Sequence, residues 1–138
     1  MKTYRKTIGD YGEDIAEKYL KKHGYRILSR NFSARGGEID IIGFRHGTLV
    51  CFEVKTRSNN SYGRPAEAVD DLKIARINKA LREFLNIYED FGKIPVFYPL
   101  GITKKRRIRK KRIDVIEIYI SDNSYEINHI KDFNGVEL

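Results

Sequence analysis

The chain has 138 residues, of which 41% are hydrophobic and 33% are charged, so we expect one folded domain over residues 1–138 and not a disordered chain. Its one cysteine, Cys51, excludes an internal disulfide and a cysteine-rich zinc site. The N-terminal residues lack the apolar segment of a signal peptide, and no apolar run approaches the roughly 20 residues of a membrane span. We therefore expect a cytoplasmic protein without a membrane partner.

The excess charge of the chain is concentrated in one short segment. The formal net charge is +8, from 27 basic and 19 acidic residues, yet residues 104–112 hold eight basic residues and no acidic one. The remainder of the chain is therefore neutral. Such a cluster attracts polyanions, so we expect contact with DNA; a solvated basic loop that only adds solubility is the alternative. The basic residues are Lys104, Lys105, Arg106, Arg107, Arg109, Lys110, Lys111 and Arg112.

The first part of the chain is predicted to form a helix followed by three strands. Apolar residues at helical spacing predict a helix from Asp10 to His23, with Asp10 as its N-cap and Gly24 just past its end. Alternating apolar residues and turn residues predict the strands, which cover residues 25–32, 38–45 and 48–56. The last two strands are joined by a turn at His46–Gly47, so they form a hairpin.

The second part adds a long helix and further strands. Residues 58–63 are polar, and a helix is predicted from Pro65 to about Glu89, with Leu72 and Ile77 on its apolar face. The strands expected after it cover residues 96–102, 113–120 and 125–130, of which the last two form a hairpin. This order of elements predicts a mixed α/β domain with a central sheet.

The middle hairpin carries the strongest chemical pattern. A symmetric turn at His46–Gly47 places Asp40 opposite Glu53 and Glu38 opposite Lys55, and opposed side chains lie about 4.5–5.5 Å apart at Cβ. Two carboxylates this close repel each other, and a divalent cation between them would remove the conflict. A neighbouring lysine can orient a water or meet a phosphate. The alternative is a pair of cross-strand salt bridges involving Lys55, with Asp40 at a solvated sheet edge.

Several segments resemble the PD-(D/E)XK nucleases, in which an Asp is followed one hairpin later by Glu-x-Lys. Among these nucleases the chain most closely resembles the YraN family of bacterial nuclease-like proteins. The segments that carry the resemblance are 9–16, 24–32, 37–42, 52–57 and 112–116. The resemblance implies a restriction-endonuclease-like core, in which helices flank a central mixed β-sheet, and kinship with Holliday junction resolvases.

The same resemblance implies a catalytic site. By motif position Asp40 and Glu53 would bind Mg²⁺ or Mn²⁺, Lys55 would be the catalytic lysine, and Glu13 would be the extra acid of the resolvase-like branch. Glu13 also fits a capping box with Asp10, and the two roles are compatible. The substrate implied is double-stranded or branched DNA.

Further residues are candidates for DNA contact or for assembly. Arg57 and Lys73 could face a phosphate backbone near the site, although Lys73 could equally lie on a solvated helix face. The apolar residues 97–100 could form the interface of a homodimer, which would supply two active sites, or could be an inner strand.

Three functions are compatible with the sequence. The first is a Mg²⁺-dependent DNA endonuclease, selective for DNA structure. The second is a DNA-binding module on a nuclease fold that no longer cuts. The third is a protein-interaction factor whose basic segment meets an acidic partner. The acidic and lysine motif favours the first over the second, because loss of cutting would relax the requirement for those residues.

Overall fold

The computed structural model describes residues 8–58 and 69–133, so most of the polar segment expected over 58–63, together with Pro65, lies outside the described residues. The described elements are, in order, α1 (Ile8–Lys22), β1 (Arg26–Ala34), β2 (Gly37–Arg45), β3 (Thr48–Ser58), α2 (Asp71–Tyr88), β4 (Lys93–Tyr98), β5 (Ile102–Arg107), β6 (Lys110–Ser121) and β7 (Ser124–Ile130).

Five of the strands form a mixed sheet in the order β1–β2–β3–β6–β7. β2 is antiparallel to both β1 and β3, β6 is parallel to β3, and β7 is antiparallel to β6. The two-residue turn His46–Gly47 has positive φ at both positions, 48° and 79°, as a tight hairpin turn requires. The predicted register is confirmed from Arg45–Thr48 to Ile41–Phe52. The predicted pairs Asp40–Glu53 and Glu38–Lys55 lie beyond the end of this ladder.

The two helices cover opposite faces of this sheet. Alternate residues of β3 divide the core, because Leu49 and Cys51 pack in the layer of α2 whereas Val50 and Phe52 pack in the layer of α1. The predicted α/β architecture, with helices flanking a mixed central sheet, is therefore confirmed. The buried face of α2 consists of Ile77, Ala80, Leu81 and Phe84.

The first helix begins earlier than predicted. It begins at Ile8, two residues before the predicted start at Asp10. Asp10 is therefore inside the helix and is not its N-cap, and the capping-box role of Glu13 is wrong. The predicted end is confirmed, because Gly24 adopts a φ of 87° just past the last turn.

The second helix begins later than predicted. Asp70 is extended, with φ −96° and ψ −178°, and its side chain accepts a hydrogen bond from the backbone amide of Lys73 at 2.9 Å. This cap starts α2 at Asp71, later than the predicted start at Pro65, which lies outside the described residues. Leu72 lies in the first turn and is 69% exposed, so it does not belong to the apolar face.

The strand predicted over residues 96–102 is wrong in its boundaries. The chain turns at Pro99–Gly101, where Leu100 and Gly101 both have positive φ, so the prediction combined the end of β4 with the start of β5. β4 and β5 pair antiparallel as a separate two-stranded sheet. Part of the basic cluster therefore lies on a strand and not in a loop, and residues 97–100 are not an inner strand.

Neither described helix combines the length and apolar character needed to cross a membrane, a finding restricted to residues 8–58 and 69–133.

Candidate active site

The ladder between β2 and β3 opens beside Asp40. Ile41–Phe52 is the last backbone pair of the two strands. In a hairpin with this turn, every second pair of opposed residues exchanges backbone hydrogen bonds. If the ladder continued, the amide of Val54 would therefore donate to the carbonyl of Ile39. That amide donates instead to Oδ2 of Asp40 at 2.9 Å. The Asp40 carboxylate thus lies where the two strands part.

Glu53 is buried between two lysines. Its Oε1 lies 3.5 Å from Lys55 Nζ and 3.4 Å from Lys73 Nζ, and the side chain is almost completely inaccessible. Lys73 Nζ also lies 3.5 Å from Oε1 of Glu38, so α2 supplies a cation to both acids. The second oxygen, Oε2 of Glu53, is buried and has no hydrogen-bond donor among the described residues. A buried carboxylate oxygen without a donor is costly and retains its capacity to bind a cation.

The electrostatics show that these groups form one site. Burial, and then the charge of Asp40, raise the pKa of Glu53 to about 7 against the attraction of Lys73 and Lys55. Burial likewise raises the pKa of Asp40, although the hydrogen bond from Val54 and both lysines act in the opposite direction. Burial lowers the pKa of Lys73, but the neighbouring carboxylates outweigh it and raise the pKa overall. The site therefore holds carboxylates that resist ionisation and a lysine that stays charged.

Glu13 approaches the Asp40 side of the site from α1. Arg30 lies 3.5 Å from its Oε2, and the Asn31 amide, in the orientation that turns its nitrogen toward the acid, donates to its Oε1 at 2.9 Å. Burial, and then the charge of Asp40, raise the pKa of Glu13, whereas Asn31 and Arg30 lower it. The sequence analysis assigned no role to Arg30 and Asn31. Their position on β1, which pairs with β2 so that Arg30 is opposite Ile41, is the feature that could have indicated their closeness to the site.

Two glycines allow the helices to approach this part of the sheet closely. A Cβ on Gly37 would lie 2.1 Å from the carbonyl oxygen of Arg76, so α2 packs directly on the β2 backbone. A Cβ on Gly12 would lie 1.9 Å from Oγ1 of Thr56, so α1 packs equally closely on β3. The close approach at Gly37 brings the first turn of α2, with Lys73, over the acidic site.

Arg57 and Lys73 are predicted phosphate contacts that lie beside the site. Arg57 is two residues beyond Lys55 on β3 and therefore shares its face of the sheet, next to Tyr119 of β6. Lys55 and Arg57 on β3 and Lys73 on α2 therefore place positive charge on two sides of Glu53.

The basic cluster lies at the opposite end of the sheet. Lys110 pairs with Thr48 beside the turn His46–Gly47, and Glu53 lies five residues further along β3, a distance of about 17 Å at roughly 3.3 Å per residue. The structure therefore brings the acids and lysines of the hairpin together and leaves the basic cluster apart from them. A cavity of about 580 Å³ at the turn end is lined in part by His46, Tyr98, Lys105, Arg106, Arg107 and Arg109.

Arg112 belongs to this cluster in sequence but is held inside the fold. Its guanidinium donates to Oδ1 of Asp114 at 2.9 Å and to the hydroxyl of Tyr25 at 2.7 Å. His129 Nε2 donates to Oδ2 of Asp114 at 2.7 Å, and its other ring nitrogen lies 3.1 Å from the Tyr19 hydroxyl. Burial alone would raise the pKa of Asp114, but the hydrogen bonds from His129 and Arg112 keep it lowered. Asp114 is therefore a structural hydrogen-bond acceptor, and only the fold reveals His129 as its partner.

Asp40 and Glu53 are chemically suited to a divalent cation. Mg²⁺ typically takes one or two protein carboxylates together with water and phosphate oxygens, and Mn²⁺ also favours oxygen ligands. The unpaired Oε2 of Glu53 and the mutual repulsion of the two acids both favour a cation. Within the described ranges no three Asp, Glu, His or Cys side chains gather closely enough to hold an ion, so the remaining ligands would be water and substrate.

The mixed sheet, the helices on its two faces and the acids at the opening of its central hairpin define an α/β protein with a restriction-endonuclease-like core. The chain belongs to the family described as uncharacterised protein family UPF0102, which it matches over residues 12–118. It is 40% identical over 134 residues to a UPF0102 protein of Clostridium perfringens, covering 96% of this chain and 97% of the relative. A UPF0102 protein of Carboxydothermus hydrogenoformans is 38% identical over 128 residues, covering 93% and 95%.

Proposed function

We propose that this protein is a Mg²⁺- or Mn²⁺-dependent endonuclease that hydrolyses phosphodiester bonds of DNA. The observation that carries the proposal is the buried, unpaired Oε2 of Glu53 beside Asp40 and two lysines. The same residues occupy the motif positions through which the sequence resembles PD-(D/E)XK nucleases of the YraN type. The resemblance to junction resolvases favours double-stranded or branched DNA as the substrate.

The side chains have distinct roles in this proposal. Asp40 and Glu53 would hold the cation, which when bound stabilises the charge of the reacting phosphate. The Lys55 ammonium, 3.5 Å from Glu53, would donate to a phosphate oxygen or orient the attacking water. Lys73 would neutralise the acids on the α2 side. Glu13, positioned by its hydrogen bonds on the α1 side, would offer a carboxylate that can accept a proton.

Cleavage of branched and linear DNA in Mg²⁺ or Mn²⁺ tests the proposal directly. Glu53→Gln should abolish metal-dependent cutting, whereas Glu83→Gln, on an exposed position of α2, should cut like the wild type. Cutting that survives Glu53→Gln would point to a contaminating nuclease and refute the assignment. Titration calorimetry with Mn²⁺ alone should show one binding event that Glu53→Gln removes.

A DNA-binding protein that does not cut is the second candidate. It is favoured by the position of Lys73, whose ammonium lies 3.4 Å from Glu53 and already supplies the positive charge that a metal would bring. In that case Mn²⁺ would not bind at the acids, and DNA affinity would be independent of divalent cations. The Mn²⁺ titration therefore separates the two functions without relying on cleavage.

A further inference from the structure

The hairpin formed by β4 and β5 ends in an exposed apolar tip. Its base is anchored, because Ile94 and Val96 of β4 are buried in the layer of α2. Its tip is not covered, since Leu100 is 97% exposed, Phe97 54% and Ile102 46%. Phe97 pairs with Thr103 and Ile102 pairs with Tyr98, so Phe97 and Ile102 lie on opposite faces of the hairpin. Exposed apolar side chains on both faces and at the turn form a tip that suits a partner.

The backbone at the tip adopts a strained conformation, and burial of the side chain does not offset that strain. Leu100 has a φ of 65°, in the left-handed region where glycine or asparagine is normal and leucine is disfavoured. A buried leucine could offset this cost through its contacts, but this side chain is almost completely exposed. The arrangement therefore presents the leucine outward instead of burying it.

The strand that follows the tip is cationic over its last four residues. Every residue of β5 is exposed, and residues 104–107 are all basic. Lys93 of β4 lies directly opposite Arg107, and like charges in opposed positions destabilise a strand pair. A polyanion running along the hairpin would relieve this repulsion.

Two other occupants fit these observations less well. In a two-fold dimer the same surface meets itself, which would bring two copies of the cationic strand together. An anionic membrane touched by the tip would lie near Lys104, but Arg107 lies five residues from Ile102, about 17 Å away and beyond the roughly 8 Å screening length at physiological salt. A membrane would therefore leave the far end of the cationic strand unused. A nucleic acid matches both the linear track of charge and the apolar tip.

We propose that the β4–β5 hairpin is a nucleic-acid-binding arm, in which β5 follows the sugar-phosphate backbone and Leu100 inserts between neighbouring bases. Apolar side chains that enter the stack in this way unstack and bend the duplex. The inference rests on the proposed action on DNA and adds to it a means of deforming the substrate outside the acidic site.

The test uses the full chain in EDTA, so that no cleavage is required. The probe is a DNA duplex with 2-aminopurine beside a single TA step, the step that unstacks most easily. Wild-type protein should increase the 2-aminopurine fluorescence severalfold, and Leu100→Ser should remove this increase and weaken binding by about tenfold. Leu100→Met should keep both, and Ile87→Ser, at a 61% exposed position of α2, should behave like the wild type.

These measurements can refute the proposed nucleic-acid-binding arm independently of the nuclease proposal. An increase that persists in Leu100→Ser, or no increase in the wild type, would exclude insertion by the tip. Loss in Leu100→Ser of binding to phosphatidylserine vesicles, or of a dimer seen by sedimentation equilibrium, would assign the tip to a membrane or to a second copy. Because Leu100 and Ile87 are both exposed, the urea midpoints of Leu100→Ser and Ile87→Ser should match that of the wild type. Matching midpoints separate loss of function from loss of fold.

Discussion

Replacing Glu53 by glutamine should stabilise the metal-free protein at high pH even though it removes the proposed metal ligand. Burial and the charge of Asp40 raise the pKa of Glu53 from 4.5 to about 7. Between these two values the folded protein holds a proton that the unfolded chain has lost, so the free energy of unfolding falls as pH rises. The full shift corresponds to about 3 kcal/mol, which is completely present below pH 4.5, mostly present at pH 5 and lost above pH 7. Glutamine carries no charge at either pH.

Urea denaturation across pH 5 to 8.5 would measure this difference. The wild type should lose stability as pH rises, and Glu53→Gln should be more stable than the wild type by about 2–3 kcal/mol at pH 8 and nearly equal to it at pH 5. Comparing the two pH values cancels the effect of the amide on packing. Glu83→Gln should leave the wild-type pH profile unchanged, because its carboxylate is exposed.

Added Mn²⁺ should make the wild type more stable than Glu53→Gln at pH 8. It stabilises the wild type by binding the folded state and has no effect on Glu53→Gln. Identical pH profiles for wild type and Glu53→Gln would refute the reasoning, since they would mean that Glu53 ionises in the fold as freely as in the unfolded chain.

Three further outcomes follow from the geometry. Lys55→Ala should slow cleavage by about 100- to 1,000-fold with little change in DNA affinity, and an equal loss of both would assign Lys55 to binding alone. Gly37→Ala should reduce the free energy of unfolding by about 1–3 kcal/mol in urea, because its Cβ would meet the carbonyl oxygen of Arg76, and an unchanged midpoint would show that α2 can retreat. Replacing Lys104 and Arg107 by glutamine should reduce the slope of log affinity against log salt by up to about two, and an unchanged slope would leave β5 a solubility feature.

The sequence alone determined the central hairpin and its chemistry. The turn at His46–Gly47 and the alternation of apolar residues on either side are local features, and together they set a register that the structure reproduces down to Ile41–Phe52. That register was sufficient to oppose Asp40 and Glu53 and to expect a conflict between them. The count of charges likewise located the basic cluster, because composition does not depend on the fold.

Tertiary structure decided how that chemistry is completed. Lys73 lies twenty residues from Glu53 in the chain, and it reaches the acid only because α2 packs on the bare backbone of Gly37. The burial that raises the pKa of Glu53 is a property of the packed layers and is invisible in a list of residues. Arg112 has the same charge as its neighbours, yet Asp114, held by a strand-to-strand contact with His129, draws it into the interior. Local hydrogen bonding and alternation are encoded by adjacent residues, whereas burial and pairing between distant elements arise only when helices and sheet pack together.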